Sequence, residues 1–162
     1  MKSLDELILI GMAGARMNCT HDELVPVLLM ARGEDTQAVA LDLRGAPRND
    51  RKLYKSYRDT MIKDLLRKFD PTHYVHVAEA WSSTSFDAVL SVEGDIEKLP
   101  PEDRFEVAAL IAVEKNNPEA TGYIAKIETI NEESGHRELG EWERCNTDDP
   151  DFPDGGRVIS RW

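Results

Sequence analysis

The segment from Thr72 to Ser82 gathers side chains that could do chemistry: His73, His76 and Glu79 stand three residues apart. Neutral imidazoles with a carboxylate would suit zinc or iron. The β-branched and aromatic residues of the segment instead predict an interior strand, on which successive side chains point to opposite faces. His76 would then point away from His73 and Glu79. We therefore predict no metal and no cofactor, and interpret both histidines as structural.

A pair of carboxylates beside an arginine is the second candidate site. If the strand that ends at Trp81 pairs with the strand that begins near Arg104, the acidic residues at their ends meet. One carboxylate can raise the pKa of another while a guanidinium lowers it, which suits acid and base catalysis. The catalytic candidates of this enzymatic alternative are His76, Glu79, Asp103, Arg104 and Glu106. Ion pairing across strands, with Trp81 covering Arg104, uses the same residues and is the preferred interpretation.

Other catalytic motifs are missing from the sequence. The serines and threonine at 82–85 have no Gly-x-Ser-x-Gly context, and Cys19 and Cys145 have no recognisable nucleophile setting. No glycine-rich segment has the surroundings of a phosphate-binding loop. The aspartates between 148 and 154 are interrupted by prolines and lack the spacing of a calcium loop.

A basic segment stands out against an acidic chain. The net charge is −11, yet Arg44 to Lys68 holds nine basic and three acidic residues, a net +6 that leaves −17 for the rest. This segment favours an acidic protein partner, or the acidic tail of a second copy in a homo-oligomer. The alternative is the phosphate backbone of a nucleic acid, which the acidic remainder opposes. The predicted partner-binding residues are Arg48, Arg51, Lys55 and Arg58.

Length and composition predict one domain. A chain of 162 residues with 41% hydrophobic content can bury a real core. We assign residues 1–145 to a single domain and residues 146–162 to an acidic tail rich in proline and glycine. Two distant cysteines indicate reduced thiols, and Asp5 and Glu6 interrupt what would otherwise resemble a signal peptide. We therefore predict a cytoplasmic protein without a membrane partner.

Periodicity, caps and turn residues predict two helices, Leu4–Arg16 and Asp50–Phe69, the first begun by a Ser3/Glu6 capping box and the second capped by Asn49. The second helix should face the sheet with an apolar stripe that includes Leu53 and Tyr57. The predicted strands are a run from about Pro26 to Met30, then Gln37–Leu43, Thr72–Ser82, Arg104–Lys115, Gly122–Ile130 and Leu139–Cys145. Residues 83–100 are predicted to form an excursion or lid.

This order predicts an α+β fold: a single, mostly antiparallel sheet of five to six strands packed against two helices, in the order α-β-β-α-β-β-β-β. Trp81 is expected to be buried between the sheet and a helix. The element order alone is similar to that of profilin-like and roadblock-type modules, which implies a dimeric, non-enzymatic protein.

Two short motifs carry a further resemblance: Glu79-Ala80-Trp81 at a strand end, and Pro101-Glu102-Asp103-Arg104-Phe105-Glu106 at the next strand start. Together they resemble an uncharacterised family of small α+β proteins from bacteria, archaea and phages, to which no activity is assigned. The resemblance thus implies a fold and no reaction. From the sequence we predict a non-catalytic cytosolic interaction or regulatory module that self-associates; the alternatives are a small hydrolase and a nucleic-acid accessory protein.

Overall fold

The computed structural model describes residues 3–19, 24–47, 49–83, 87, 91–92, 98–117 and 120–144. The elements follow the predicted order. The helices are α1 (Leu4–Asn18) and α2 (Arg51–Phe69), and the strands are β1 (Val27–Arg32), β2 (Asp35–Ala40), β3 (His73–Ser82), β4 (Phe105–Glu114), β5 (Thr121–Asn131) and β6 (His136–Arg144). The predicted excursion falls mostly, and the acidic tail wholly, outside the described residues.

The six strands form one antiparallel sheet in the order β2-β1-β3-β4-β5-β6. A two-residue turn joins β1 to β2, in which Arg32 is paired with Asp35 and Gly33 has a φ of +63° that favours glycine. This turn is tighter than the predicted one. The α+β fold predicted from the sequence is confirmed.

Each helix covers one face of the sheet. Val75 and Val77 of β3 pack with Leu7 and Ile8 of α1, whereas Tyr74 packs with Ile62 of α2. Successive side chains of a strand point to opposite faces, so the sheet lies between the two helices. For this reason β4 has buried residues on both of its sides.

The helix ends are set by local hydrogen bonds. The Ser3 Oγ accepts the Glu6 N–H at 3.2 Å, as the predicted capping box requires. The carboxylate of Asp50, rather than Asn49, caps α2 by accepting the N–H groups of Lys52 and Leu53. The helix ends where Asp70 takes up a left-handed conformation before Pro71.

The apolar stripe of α2 is narrower than predicted. Leu53 is 55% exposed, whereas Ile62 is fully buried. Nine residues separate them, which is two and a half helical turns and places them on opposite sides of the helix. The prediction that Leu53 faces the sheet is therefore wrong, and Tyr57 is also exposed, at the margin of the stripe.

Candidate functional site

Polar side chains meet where β3 and β4 extend past the end of α1. Arg137 of β6 is 2.6 Å from Glu79 and 3.0 Å from Glu106, and both contacts are ion pairs. The side chains of Arg137 and Glu79 are only 11% and 15% exposed. We call these three residues the Arg137 cluster. The side chain of Glu106 is 40% exposed.

The register of the sheet explains why the two carboxylates converge. Trp81 is paired with Glu106 across β3 and β4, and Glu79 lies two residues before Trp81 on the same face. The predicted pairing of these strand ends is therefore present. Arg137 was missed, because it comes from β6 and the sequence carries no signal that its side chain reaches over β5 and β4.

Electrostatics hold the guanidinium of Arg137 in its charged form. Burial by itself lowers the pKa of Arg137, but the hydrogen bond and charge of Glu79, helped by Glu106, raise that pKa above its ordinary value. Glu79 also accepts the backbone N–H of Leu24 at 3.2 Å. Arg137 thus bridges the two carboxylates, one positive charge against two negative ones, and Glu79 ties the chain before β1 to the sheet; this is a structural arrangement.

Cys19 lies in the same region, just after α1. Burial raises the pKa of its thiol; Arg137 opposes the rise, and Glu79 and Glu106 add to it. A buried thiol with a raised pKa is a poor nucleophile, because the thiolate is the reactive form. Cys145 lies outside the described residues.

Two further acid–base candidates, Asp103 and Arg104, lie directly before β4. The guanidinium carbon of Arg104 lies 4.3 Å from the centre of the Trp81 ring, which is a cation–π contact. Trp81 is half-buried and belongs to neither of the two hydrophobic cores. The expectation that Trp81 is buried between sheet and helix is wrong, since α1 ends before it. Asp103 is exposed in the short 3₁₀ turn Pro101–Asp103 ahead of β4.

The histidines are separated from the carboxylates. His76 is 4% exposed and lies on the side of the sheet that α2 covers, opposite to the side of Glu79. The Nδ1 of His73 is 2.8 Å from the hydroxyl of Thr72, and its Nε2 is 3.8 Å from Glu114. A hydrolase that combines His76 with these carboxylates, the enzymatic alternative, has no common cleft. No three metal-binding side chains are clustered in the described part of the chain.

The outward face of α2 carries the basic segment. A groove of about 360 Å³ runs along it, lined by Lys52, Lys55, Ser56, Asp59, Thr60 and Lys63. Of the predicted partner-binding residues, Lys55 is exposed in this groove, and Arg58 is half-buried with Asp59 at 3.5 Å. Arg48 and the side chain of Arg51 lie outside the described residues. We call the surface formed by Lys52, Leu53, Lys55, Tyr57 and Lys63 the α2 face.

A second groove of about 370 Å³ lies between the chain before β1 and the chain after β2. It is mainly apolar, and an exposed ion pair between Arg44 and Asp42, 2.9 Å long, lies among its lining residues. The hydrogen bond from Arg44 lowers the pKa of Asp42 to about 2. Screening by water leaves such an exposed pair little energetic weight.

Comparison with known proteins gives no relative: no family model, curated protein or solved structure matches this chain. The resemblance to an uncharacterised family stays a prediction. None of the described helices is long and apolar enough to cross a membrane.

Proposed function

We propose that this chain is a non-catalytic cytoplasmic interaction module that self-associates. We propose further that its α2 face binds acidic protein segments. The observation that carries the proposal is the composition of the solvent side of α2: Lys52, Lys55 and Lys63 are exposed along the groove, and Leu53 and Tyr57 are exposed on the neighbouring side of the helix. A helix surface that carries both lysines and large apolar side chains suits a partner that offers carboxylates and apolar groups together.

The groups that would serve catalysis are occupied in structural contacts. Glu79 and Glu106 are paired with Arg137, Arg104 stacks on Trp81, and His76 is buried on the other face of the sheet. This arrangement supports an interaction role over a hydrolase. The buried free thiol of Cys19 agrees with a reducing compartment such as the cytoplasm.

Charge supports a protein partner over a nucleic acid. The −17 outside the basic segment repels phosphate backbones at a distance, whereas a short acidic segment needs to approach only the α2 face. The chain itself contains such a segment at residues 148–154, where four aspartates flank Phe152. Acidic segments with an apolar residue are therefore the proposed ligand class.

A titration with a labelled peptide tests this function. The probe is a synthetic peptide with the sequence of residues 146–156, beside a duplex oligonucleotide of similar charge. Lys55→Glu with Lys63→Glu should weaken peptide binding about tenfold or more, because each substitution replaces an attractive charge by a repulsive one. The matched control is Arg67→Glu with Lys68→Glu, which makes the same charge change on exposed residues of the same helix outside the groove.

Three results together would support the proposal. Peptide binding should weaken with added salt, persist in the Arg67→Glu/Lys68→Glu control and be lost in the groove variant, Lys55→Glu/Lys63→Glu. Oligonucleotide binding that only the groove variant loses would favour the accessory-protein alternative instead. No binding of either probe, or equal losses in both variants, would contradict a specific role for the α2 face.

A further inference from the structure

The outward side of α1 is an apolar surface without a neighbour in the described structure. Leu9, Ile10 and Met17 are 65%, 41% and 81% exposed, and Ala13 lies exposed between them. These three are among the largest exposed apolar side chains of the described residues, and all belong to one helix. We call Leu9, Ile10, Ala13 and Met17 the α1 face.

The spacing of the α1 face is that of a helix–helix contact. Leu9, Ala13 and Met17 stand four residues apart, so they form one row along the helix, and Ile10 stands seven residues before Met17. The middle of the row holds small residues: Ala13, and beside it Gly14, where an added Cβ would find nothing within 4 Å. Small residues at the centre let a second helix approach closely.

The charges of α1 fit a second copy of the same helix in antiparallel orientation. Asp5 and Glu6 are exposed in the first turn, and Arg16 is exposed in the last turn, where it donates to the backbone oxygens of Leu139 and Gly140 and keeps its positive charge. A two-fold axis at Ala13 would pair Leu9 with Met17 of the other copy and bring the acidic end of each helix toward the basic end of its neighbour. The same arrangement opposes the two helix dipoles favourably.

We infer that the α1 face is the homodimer interface of this protein, formed by two antiparallel α1 helices. The inference rests on the self-association part of the proposed function and gives it a location. Because α1 and α2 cover opposite faces of the sheet, such a dimer would leave both α2 faces exposed and pointing away from each other. One dimer could then hold two acidic segments at once, which raises avidity for a ligand with two such segments.

The interface makes a distinctive prediction about salt. Its main contribution is apolar burial, and the two partners each carry −11, so salt should screen their repulsion. Dimerisation through the α1 face should therefore stay constant or strengthen as salt rises. Dimerisation through the α2 face and the acidic tail of a second copy would instead weaken.

Sedimentation equilibrium of the full chain over a concentration series tests the interface. Leu9→Glu with Met17→Glu should raise the dimer dissociation constant about tenfold or more, because it places like charges opposite each other on both sides of the two-fold axis. The matched control is Val25→Glu with Ile130→Glu, which adds the same charge at two apolar positions away from α1 that are also more than half exposed. Circular dichroism checks that both variants fold.

Leu9→Glu with Met17→Lys in one chain tests the orientation, because antiparallel helices pair position 9 with position 17, whereas parallel helices pair each position with itself. We expect this variant to dimerise more tightly than Leu9→Glu/Met17→Glu, and a variant that dimerises no better would contradict the antiparallel arrangement. A parent chain that stays monomeric throughout, or a control variant that dissociates as much as the α1 variant, would overturn the inference. So would loss of the dimer when residues 145–162 are deleted from a chain with an intact α1 face.

The two proposals fail separately. The α1 variant should bind the acidic peptide with unchanged intrinsic affinity, and Lys55→Glu with Lys63→Glu should leave the dimer intact. If the α1 variant lost both properties although folded, the assignment of separate surfaces would be wrong.

Discussion

Arg137 of β6 and Glu79 of β3 form an ion pair of 2.6 Å across two intervening strands. The pair joins the edge of the sheet to its interior and also reaches the chain before β1, because Glu79 accepts the N–H of Leu24. Such a contact has a large sequence separation and closes the sheet end that α1 leaves uncovered. It therefore gives the clearest expectation for stability.

Replacing Arg137 by methionine keeps much of the side-chain volume and removes the charge. Glu79 and Glu106 would then face each other without the cation of Arg137. We expect the free energy of unfolding to fall by about 2 to 3 kcal/mol. This is less than for a fully buried pair, because Glu106 is partly exposed. Urea unfolding measures the loss. Adding Glu79→Gln to Arg137→Met should restore part of it; a single variant as stable as the parent would show that the ion pairs contribute nothing net.

The Arg137 cluster also shows what the sequence could predict. Pairing of the strand ends follows from local patterns, and it correctly brings Glu79 near Glu106. The contribution of Arg137 depends on the order of the strands in the sheet and on where α1 ends, which no local pattern encodes. The same limit explains Trp81: the strand was predicted, but its burial depended on the reach of a helix distant in sequence.

Both helices illustrate how much a hydrophobic pattern leaves open. The inward residues of α1 and the end of α2 at Phe69 followed from periodicity and caps. Leu53 was assigned inward because an apolar residue near a stripe is usually part of it, although its angle on the helix places it opposite to Ile62. The exposed apolar side of α1 became apparent only when the structure showed which of its residues pack on the sheet.

The two glycines of α1 should respond oppositely to alanine. At Gly11 a Cβ would lie 3.1 Å from atoms of both Leu110 and Val75, whereas at Gly14 it would meet nothing within 4 Å. Gly14→Ala should stabilise the fold by up to about 1 kcal/mol, the helix propensity difference. Gly11→Ala should destabilise it by about 1 kcal/mol, because overpacking of the core exceeds that gain. Thermal unfolding at low protein concentration compares the pair, and equal effects would contradict the packing of α1 on β3 and β4.

Cys19 should react slowly while the chain is folded. Burial raises the pKa of its thiol, so little thiolate is present at neutral pH and the sulfur is shielded from reagents. In a Cys145→Ser background, which leaves one thiol, we expect Ellman's reagent to label Cys19 much more slowly than it labels the urea-unfolded chain. Arg137→Met should lower the labelling rate further at a given pH if the fold is kept, since Arg137 favours the thiolate. Rapid labelling of the folded parent would contradict the burial of Cys19.

Asp70 should make stability depend on pH at the acidic end. Its hydrogen bond from Lys115, 2.8 Å long, and the charge of that lysine hold the pKa of Asp70 below its usual 3.8. A carboxyl whose pKa is lower in the folded than in the unfolded state contributes stability above the unfolded pKa and loses it as the pH falls through the folded pKa.

Asp70→Asn keeps a residue that tolerates the left-handed φ of 52° and removes only the charge. Urea unfolding at several pH values should therefore show the parent more stable than Asp70→Asn at pH values above 4, with the difference disappearing toward lower pH. Lys115→Met is the control: in that background Asp70→Asn should produce almost no pH-dependent difference. A difference that persists unchanged into acid would mean that Asp70 acts through the backbone conformation at the end of α2 and not through its charge.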